Sequence, residues 1–367
     1  MAGRIAGNLA PPWRVPLLAL GFASLLLGMW AGLARLGWPA PPSIEGLAAM
    51  HGPLMVSGFF GTVISLERAV ALAQRWAYAG PLAAGLGGVA AMLGSTAGPA
   101  LSVAGSVVLL VATALVYRRQ RELFMLTLTL GAACWTIGSL FWWAGGSVYA
   151  VVPWWIAFFV LTIGGERLEL SRFLPPSPRA RRVFAGILVA LLGGVAASTF
   201  AWTAGTLLLG AALLGLALWL VRQDIARRTV KASGLTRFIA VCLLSGYAWL
   251  AIAGVTILVS GGLDQAGAAY DAALHAVLLG FVFSMVFGHA PIIIPAVLRT
   301  DVPYHPYFYA PLALLHVSLL ARLVGDAALL PEWRAWGGAL NGLALLAFVL
   351  GTITAVVRGR LAANGAA

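Results

Sequence analysis

Charge is what this chain has least of: Asp, Glu, Lys and Arg together make up 9% of its 367 residues, where a soluble domain carries about 25%. So little charge leaves no material for a water-facing surface, and an ordinary soluble protein is excluded. Cysteine is nearly absent as well. Cys134 and Cys242 fall inside apolar stretches, where a thiol behaves as a small hydrophobe, so neither a disulfide framework nor a metal role is expected of them. There is no CxxCH haem-attachment motif and no iron–sulfur cysteine pattern. Acidic residues are scarce relative to basic ones, 11 against 23, and the resulting charge of +12 would suggest a nucleic-acid partner if the basic residues formed one face. They do not. The first fourteen residues are too short and too polar for a cleaved signal, so the first apolar run is expected to stay as a helix.

What the chain does have is hydrophobicity: 61% apolar residues and a mean hydropathy of +0.96. Apolar runs separated by turn residues lie near 15–36, 44–72, 80–96, 98–117, 123–144, 148–170, 183–199, 201–221, 236–260, 268–297, 306–325 and 335–357, each close to the roughly 20 residues that cross a bilayer. The reading is a single polytopic all-α membrane domain, residues 1–367, with twelve transmembrane helices. Arg4, Arg14, Arg75, Arg118–Arg121, Arg172–Arg182, Arg222–Arg237, Arg299, Arg358 and Arg360 fall on one side, with only Arg35, Arg322 and Arg334 toward the other. By the positive-inside rule this predicts both termini in the cytoplasm. Trp38, Trp76, Trp142, Trp143, Trp154, Trp155, Trp333 and Trp336 lie near span ends and read as interfacial belts, and the 44 glycines as close helix contacts.

Spans 2 and 10 both open on Ala-Ala-(Met or Leu)-His, at Ala48 and Ala272, and the IGGERLEL end of span 6 matches the ISLERAVAL end of span 2. The pattern predicts three four-helix repeats, about 14–119, 120–232 and 233–360. It also places His51 and His275 at one depth, roughly 10 Å below the outer surface. Two imidazoles at one level are what a low-spin haem b requires, one axial nitrogen on each face of the iron. Asp271, one turn before His275, is placed to accept its other ring N–H. Arg35 and Arg322 are candidates to anchor haem propionates, the alternative being a local Arg322–Asp326 ion pair. His289 and His316 come to a similar depth in the inner leaflet, where they are candidates for a second metal, copper or haem site. Pro291 and Pro295 are expected to kink span 10 beside them. Glu67 and Glu166 end their helices on that side, either as polar lining or paired with Arg68 and Arg167. His305 reads as an interfacial residue without a ligand role.

Taken together, the His-x-x-x-Met-x-x-Gly-Phe run from His51, the Leu-His at His275, Gly288-His289 and the Leu-Ala-Arg ending at Arg322 resemble the NnrS family. More distantly they resemble the catalytic subunit of the haem–copper oxidases and nitric oxide reductases. The resemblance implies a haem- and copper-containing bacterial inner-membrane protein linked to nitric oxide metabolism. It carries the low-spin haem pair onto His51 and His275 only. Spans 6 to 8 contain no histidine, so the oxidase copper ligands are missing and oxygen reduction is not carried over. Electrons would come from quinol or a redox partner. The alternatives are a cofactor-free transporter of a small solute, with the buried ionisable residues along its path, and a membrane subunit of a larger respiratory complex.

Overall fold

The computed structural model describes residues 7–42, 46–170, 176–263 and 266–365. Arg4, Arg172 and parts of the loops at 43–45 and 264–265 lie outside the described residues. Every regular element among the described residues is helical. In chain order these are α1 (Pro11–Arg35), α2 (Ala48–Leu72), α3 (Ala79–Met92), α4 (Ala97–Arg119), α5 (Leu123–Trp143), α6 (Val148–Leu170), α7 (Pro178–Ala197) and α8 (Trp202–Gln223). There follow α9 (Gly234–Val259), α10 (Ala268–Leu298), α11 (Pro306–Ala327) and α12 (Pro331–Gly365). Eleven of them are long and apolar enough to cross a membrane. The exception corrects the expectation of twelve full spans. The 80–96 segment forms α3, only 14 residues, or about 21 Å. A 3₁₀ turn at Arg75–Tyr78 leads into it and adds about 8 Å.

The chain divides into two compact units, Met1–Phe158 with Ala296–Arg299, and Phe159–Pro295 with Thr300–Ala367. In the first, helices meet through small residues, as helices must where lipid gives no hydrophobic drive for association. Ser24 of α1 fits between Gly58 of α2 and Gly88 of α3, and a Cβ at Gly58 would sit 2.7 Å from the Ser24 Cβ. Gly61 makes room for the indole of Trp135, which stacks on Phe158. A buried hydroxyl cluster ties α2, α4 and α5: Ser102 donates to Ser57 at 2.9 Å and lies 3.0 Å from Ser139, while the Trp135 indole donates to Ser57 at 3.1 Å. Arg14 is no exposed flanking charge. It is buried, its guanidinium donating to the Leu9 carbonyl and, at 2.5 Å, to the Val297 carbonyl in the last turn of α10.

The second unit is a set of glycine-mediated helix pairs. A Cβ at Gly205 of α8 would lie 2.6 Å from the Ala197 carbonyl carbon of α7, and one at Gly254 of α9 would lie 2.8 Å from the Gly210 carbonyl of α8. One at Gly337 of α12 would lie 2.7 Å from the Arg322 amide of α11. α10 runs on through Pro291 and Pro295 to Leu298.

The interior of α2 and of α10 departs from α geometry in the same way. Each contains eight π-helical residues, Leu54–Gly61 and Ala276–Phe283. In each, a hydroxyl just past the segment returns to a glycine carbonyl inside it, Thr62 to Gly58 and Ser284 to Gly280, both at 2.6 Å. This match pairs Gly58-Phe59 with Gly280-Phe281. His51 then falls seven residues before its glycine and His275 five, so the Ala-Ala-x-His match and the π-segment match are two residues out of register. Two residues are about 3 Å of rise and about 200° of turn, so equal depth does not follow from the repeat.

Where backbone meets backbone, no rotamer change can relieve an added methyl. Gly205→Ala is expected to lower the thermal melting point of the detergent-purified protein markedly. Gly186→Ala, where a Cβ would meet nothing within 4 Å, should leave it unchanged. Equal melting of the two variants would contradict this packing.

Candidate functional site

The most strongly built polar features lie in the second unit. Arg167, near the end of α6, forks onto Asp224, which follows the last residue of α8: Nε to Oδ2 is 2.7 Å and Nη2 to Oδ1 is 3.0 Å. The Tyr247 hydroxyl of α9 donates to Asp224 Oδ2 at 2.6 Å, and the Ala226 amide to Oδ1 at 2.8 Å. Burial by itself would raise Asp224, but the Arg167 fork, the Tyr247 hydroxyl and the Ala226 amide outweigh it and hold the carboxyl below its ordinary value. The third guanidinium nitrogen, Nη1, reaches to 3.4 Å from His289 Nε2, while His289 Nδ1 lies 2.7 Å from the Met285 carbonyl. A carbonyl accepts only from an N–H, so Nδ1 carries the proton and Nε2 faces the guanidinium as acceptor. Both ring nitrogens of His289 are therefore engaged within the protein, and Arg167 is turned to Asp224 and His289.

A second fork joins α10 to α11. Arg322 Nε lies 2.8 Å from Asp271 Oδ2 and its Nη2 2.9 Å from Oδ1. The local Arg322–Asp326 pair is replaced by this contact across helices. Arg334 of α12 approaches from the other side, its Nη2 3.4 Å from Asp271 Oδ1 and its Nε 3.1 Å from Asp326 Oδ1. The latter is an ion pair whose angle makes no hydrogen bond. His275 sits against this group. Its Nδ1 is 2.8 Å from the Asp271 backbone carbonyl and 3.4 Å from the carboxylate Oδ1, so Asp271 receives the ring N–H through its main chain.

In the first unit His51 Nδ1 lies 2.7 Å from the Gly28 carbonyl of α1. Gly28 and Gly32 permit this approach, since a Cβ at Gly32 would come within 2.7 Å of the same nitrogen. His51 and His275 thus share one arrangement, reached separately in each unit: Nδ1–H to a backbone carbonyl, with the lone pair on Nε2. Metal-binding histidines are held in this way. Arg35 is exposed at the end of α1, and Glu67 is half-buried in α2.

His316 accepts the Trp249 indole N–H on Nδ1 at 2.9 Å. His305 accepts the Tyr307 amide on its Nδ1 at the start of α11. Trp76, Trp143, Trp333 and Trp336 are exposed as belt residues should be, but Trp154 and Trp155 are buried, 9% and 2% exposed, and do not belong to a belt. Cys134 and Cys242 are buried thiols. Among the described residues no group of three or more His, Cys, Asp and Glu side chains is placed to hold a metal ion. Asp224, Tyr247 and Trp249 were not expected from the sequence. The signal for Asp224 was a lone carboxylate in an otherwise basic connection.

A helical fold with many apolar spans and buried arginine–aspartate forks defines a multi-pass membrane protein. A family model described as "Domain of unknown function (DUF8744)" matches residues 14–357, and the chain belongs to that family. No curated protein and no solved structure matches it.

Asp224 gives this site a pH signature. Its folded value lies below the roughly 3.9 of an unfolded aspartate. Its stabilisation is therefore complete above that pH and lost as pH falls through the folded value. Asp224→Asn should lower stability at pH 7 by about 3–5 kcal/mol, the cost of leaving a buried guanidinium without its partner, and flatten the acid limb of a melting-temperature profile. A variant melting like the wild type at pH 7 would show that the fork contributes nothing.

Proposed function

We propose that the protein is a haem b protein of the bacterial inner membrane, N- and C-termini cytoplasmic, in which His51 and His275 supply the axial nitrogens. Its work would be electron transfer or nitric oxide-related respiratory metabolism. The observation that supports this reading most is the shared tautomer: each histidine directs Nδ1 to a backbone carbonyl and keeps the lone pair on Nε2, as an axial ligand requires. That each stands at the head of a π-helical segment adds weight, since such segments concentrate at functional sites. Bound haem would supply a one-electron carrier. The chain's own residues fix ring direction and neutralise charge beside it. Arg322 is committed to Asp271 by two short bonds, whereas Arg334 is 38% exposed with longer contacts, so Arg334 is the guanidinium available to a propionate. His289, with both nitrogens engaged, is not assigned to a second metal.

The test is the visible spectrum of the detergent-purified protein, oxidised and reduced, with haem quantified. Sharp reduced bands of a six-coordinate haem b are expected, and His51→Ala and His275→Ala should each abolish them. Arg334→Leu should keep the haem and lower its midpoint potential's dependence on pH or shift the potential itself. A folded, colourless wild type would overturn the reading.

A further inference from the structure

His316 carries one of the few buried side-chain nitrogens among the described residues without a hydrogen-bond partner, its Nε2. The other nitrogen explains what Nε2 must be. Trp249 Nε1–H donates to His316 Nδ1 at 2.9 Å, and an indole nitrogen only donates. Nδ1 therefore holds the lone pair, and the neutral ring carries its proton on Nε2. Protonating the ring would point a second N–H at the indole, and placing a metal on Nε2 would require the ring to give up its last proton. Trp249 thus holds His316 as a neutral donor, with a buried N–H that the chain does not satisfy.

Trp249 is itself fixed in place. Gly280, inside the π-helical segment of α10, leaves room for its indole, and a Cβ there would lie 2.8 Å from the Trp249 Cδ2. The surroundings define the missing acceptor. Ile252 and Val255 of α9 and Val317 and Leu320 of α11 are exposed apolar side chains on the same two helices, so the outer surface of this helix pair is apolar, while Nε2 itself is buried and an acceptor must part side chains to reach it. His316 lies ten residues into the 22-residue helix Pro306–Ala327, about 15 Å from its start, near the middle of the span. Lipid ester carbonyls reside at the interface, so this depth disfavours them. A neutral donor in lipid suits a neutral oxygen acceptor better than an anion.

We propose that Trp249 and His316 form a binding site for the head group of a membrane quinone, one carbonyl oxygen accepting from His316 Nε2–H beside the Trp249 indole. As a source of electrons the site rests on the haem reading; as a binding site it is tested apart from it.

The chain has five histidines, few enough to follow individually by ¹⁵N-histidine NMR of the full protein in detergent. Titration with decylubiquinone should move one Nε2–H resonance saturably, and that resonance should be missing in His316→Ala. Trp249→Phe, which frees the tautomer, should weaken binding at least tenfold. Phosphatidylglycerol in place of the quinone should leave the resonance unmoved. No shift with decylubiquinone overturns the proposal, as does a shift that persists in His316→Ala, or an equal one with phosphatidylglycerol that quinone cannot displace. If His316→Ala does not fold, the wild-type titration and Trp249→Phe decide the matter. Haem measured on the same samples separates the two readings: quinone binding without haem leaves this site standing, and haem without quinone binding removes it alone.

Discussion

Hydrocarbon offers no hydrogen bonds, so a polar group inside a membrane protein must find its partner in the protein. Much of this structure follows from that rule. The two guanidinium forks, Arg167 onto Asp224 and Arg322 onto Asp271, are the costliest groups to bury and the most completely answered. Each uses the planar match between guanidinium and carboxylate, and each joins residues well separated along the chain, by 57 and 51 positions. Because removing one partner strands a charge in low dielectric, the forks fix which helix ends adjoin. The ring N–H groups of His51, His275 and His289 obey the same rule with main-chain carbonyls.

Satisfying polar groups across helices requires the backbones to come close, and glycine supplies the approach. Gly28 and Gly32 bring α1 near enough for a carbonyl to reach His51, and Gly280 admits Trp249 to the side of α10. The small residues and the polar contacts are two aspects of one arrangement. A larger side chain at either place would both open the interface and unmake the hydrogen bond beyond it.

Helix number and extent were largely legible, since spanning length and apolar composition are local properties. The short α3 was not, because its glycine-rich apolar run continues to residue 96 while the helix stops at Met92, just before Gly94 takes a positive φ of 67°. Partner choice was legible only within one turn of helix. Counting by four suggested Arg322 with Asp326, whereas the guanidinium reaches 51 residues back to Asp271. Asp224 was hidden among arginines that dominated the charge of its connection, and Trp154 and Trp155 lay near a span end in sequence yet face inward. His51 and His275 were found by a short repeated motif. Their offset of two residues relative to the glycines lies ahead of the π-helical segments, which are equally long; the change of pitch that follows was not legible, since residue counting assumes one pitch.

The π-helical segments of α2 and α10 each follow a histidine and contain a glycine-anchored contact. A wider turn takes up an additional residue locally, so the helix on either side keeps its bearing where one residue more in a regular helix would turn it by about 100°. In α10, Gly280 lies inside the segment and Ser284 just past it, joined by the Ser284 hydroxyl to the Gly280 carbonyl. Such a segment can absorb a residue gained or lost that in a regular transmembrane helix would put the packing face out of register.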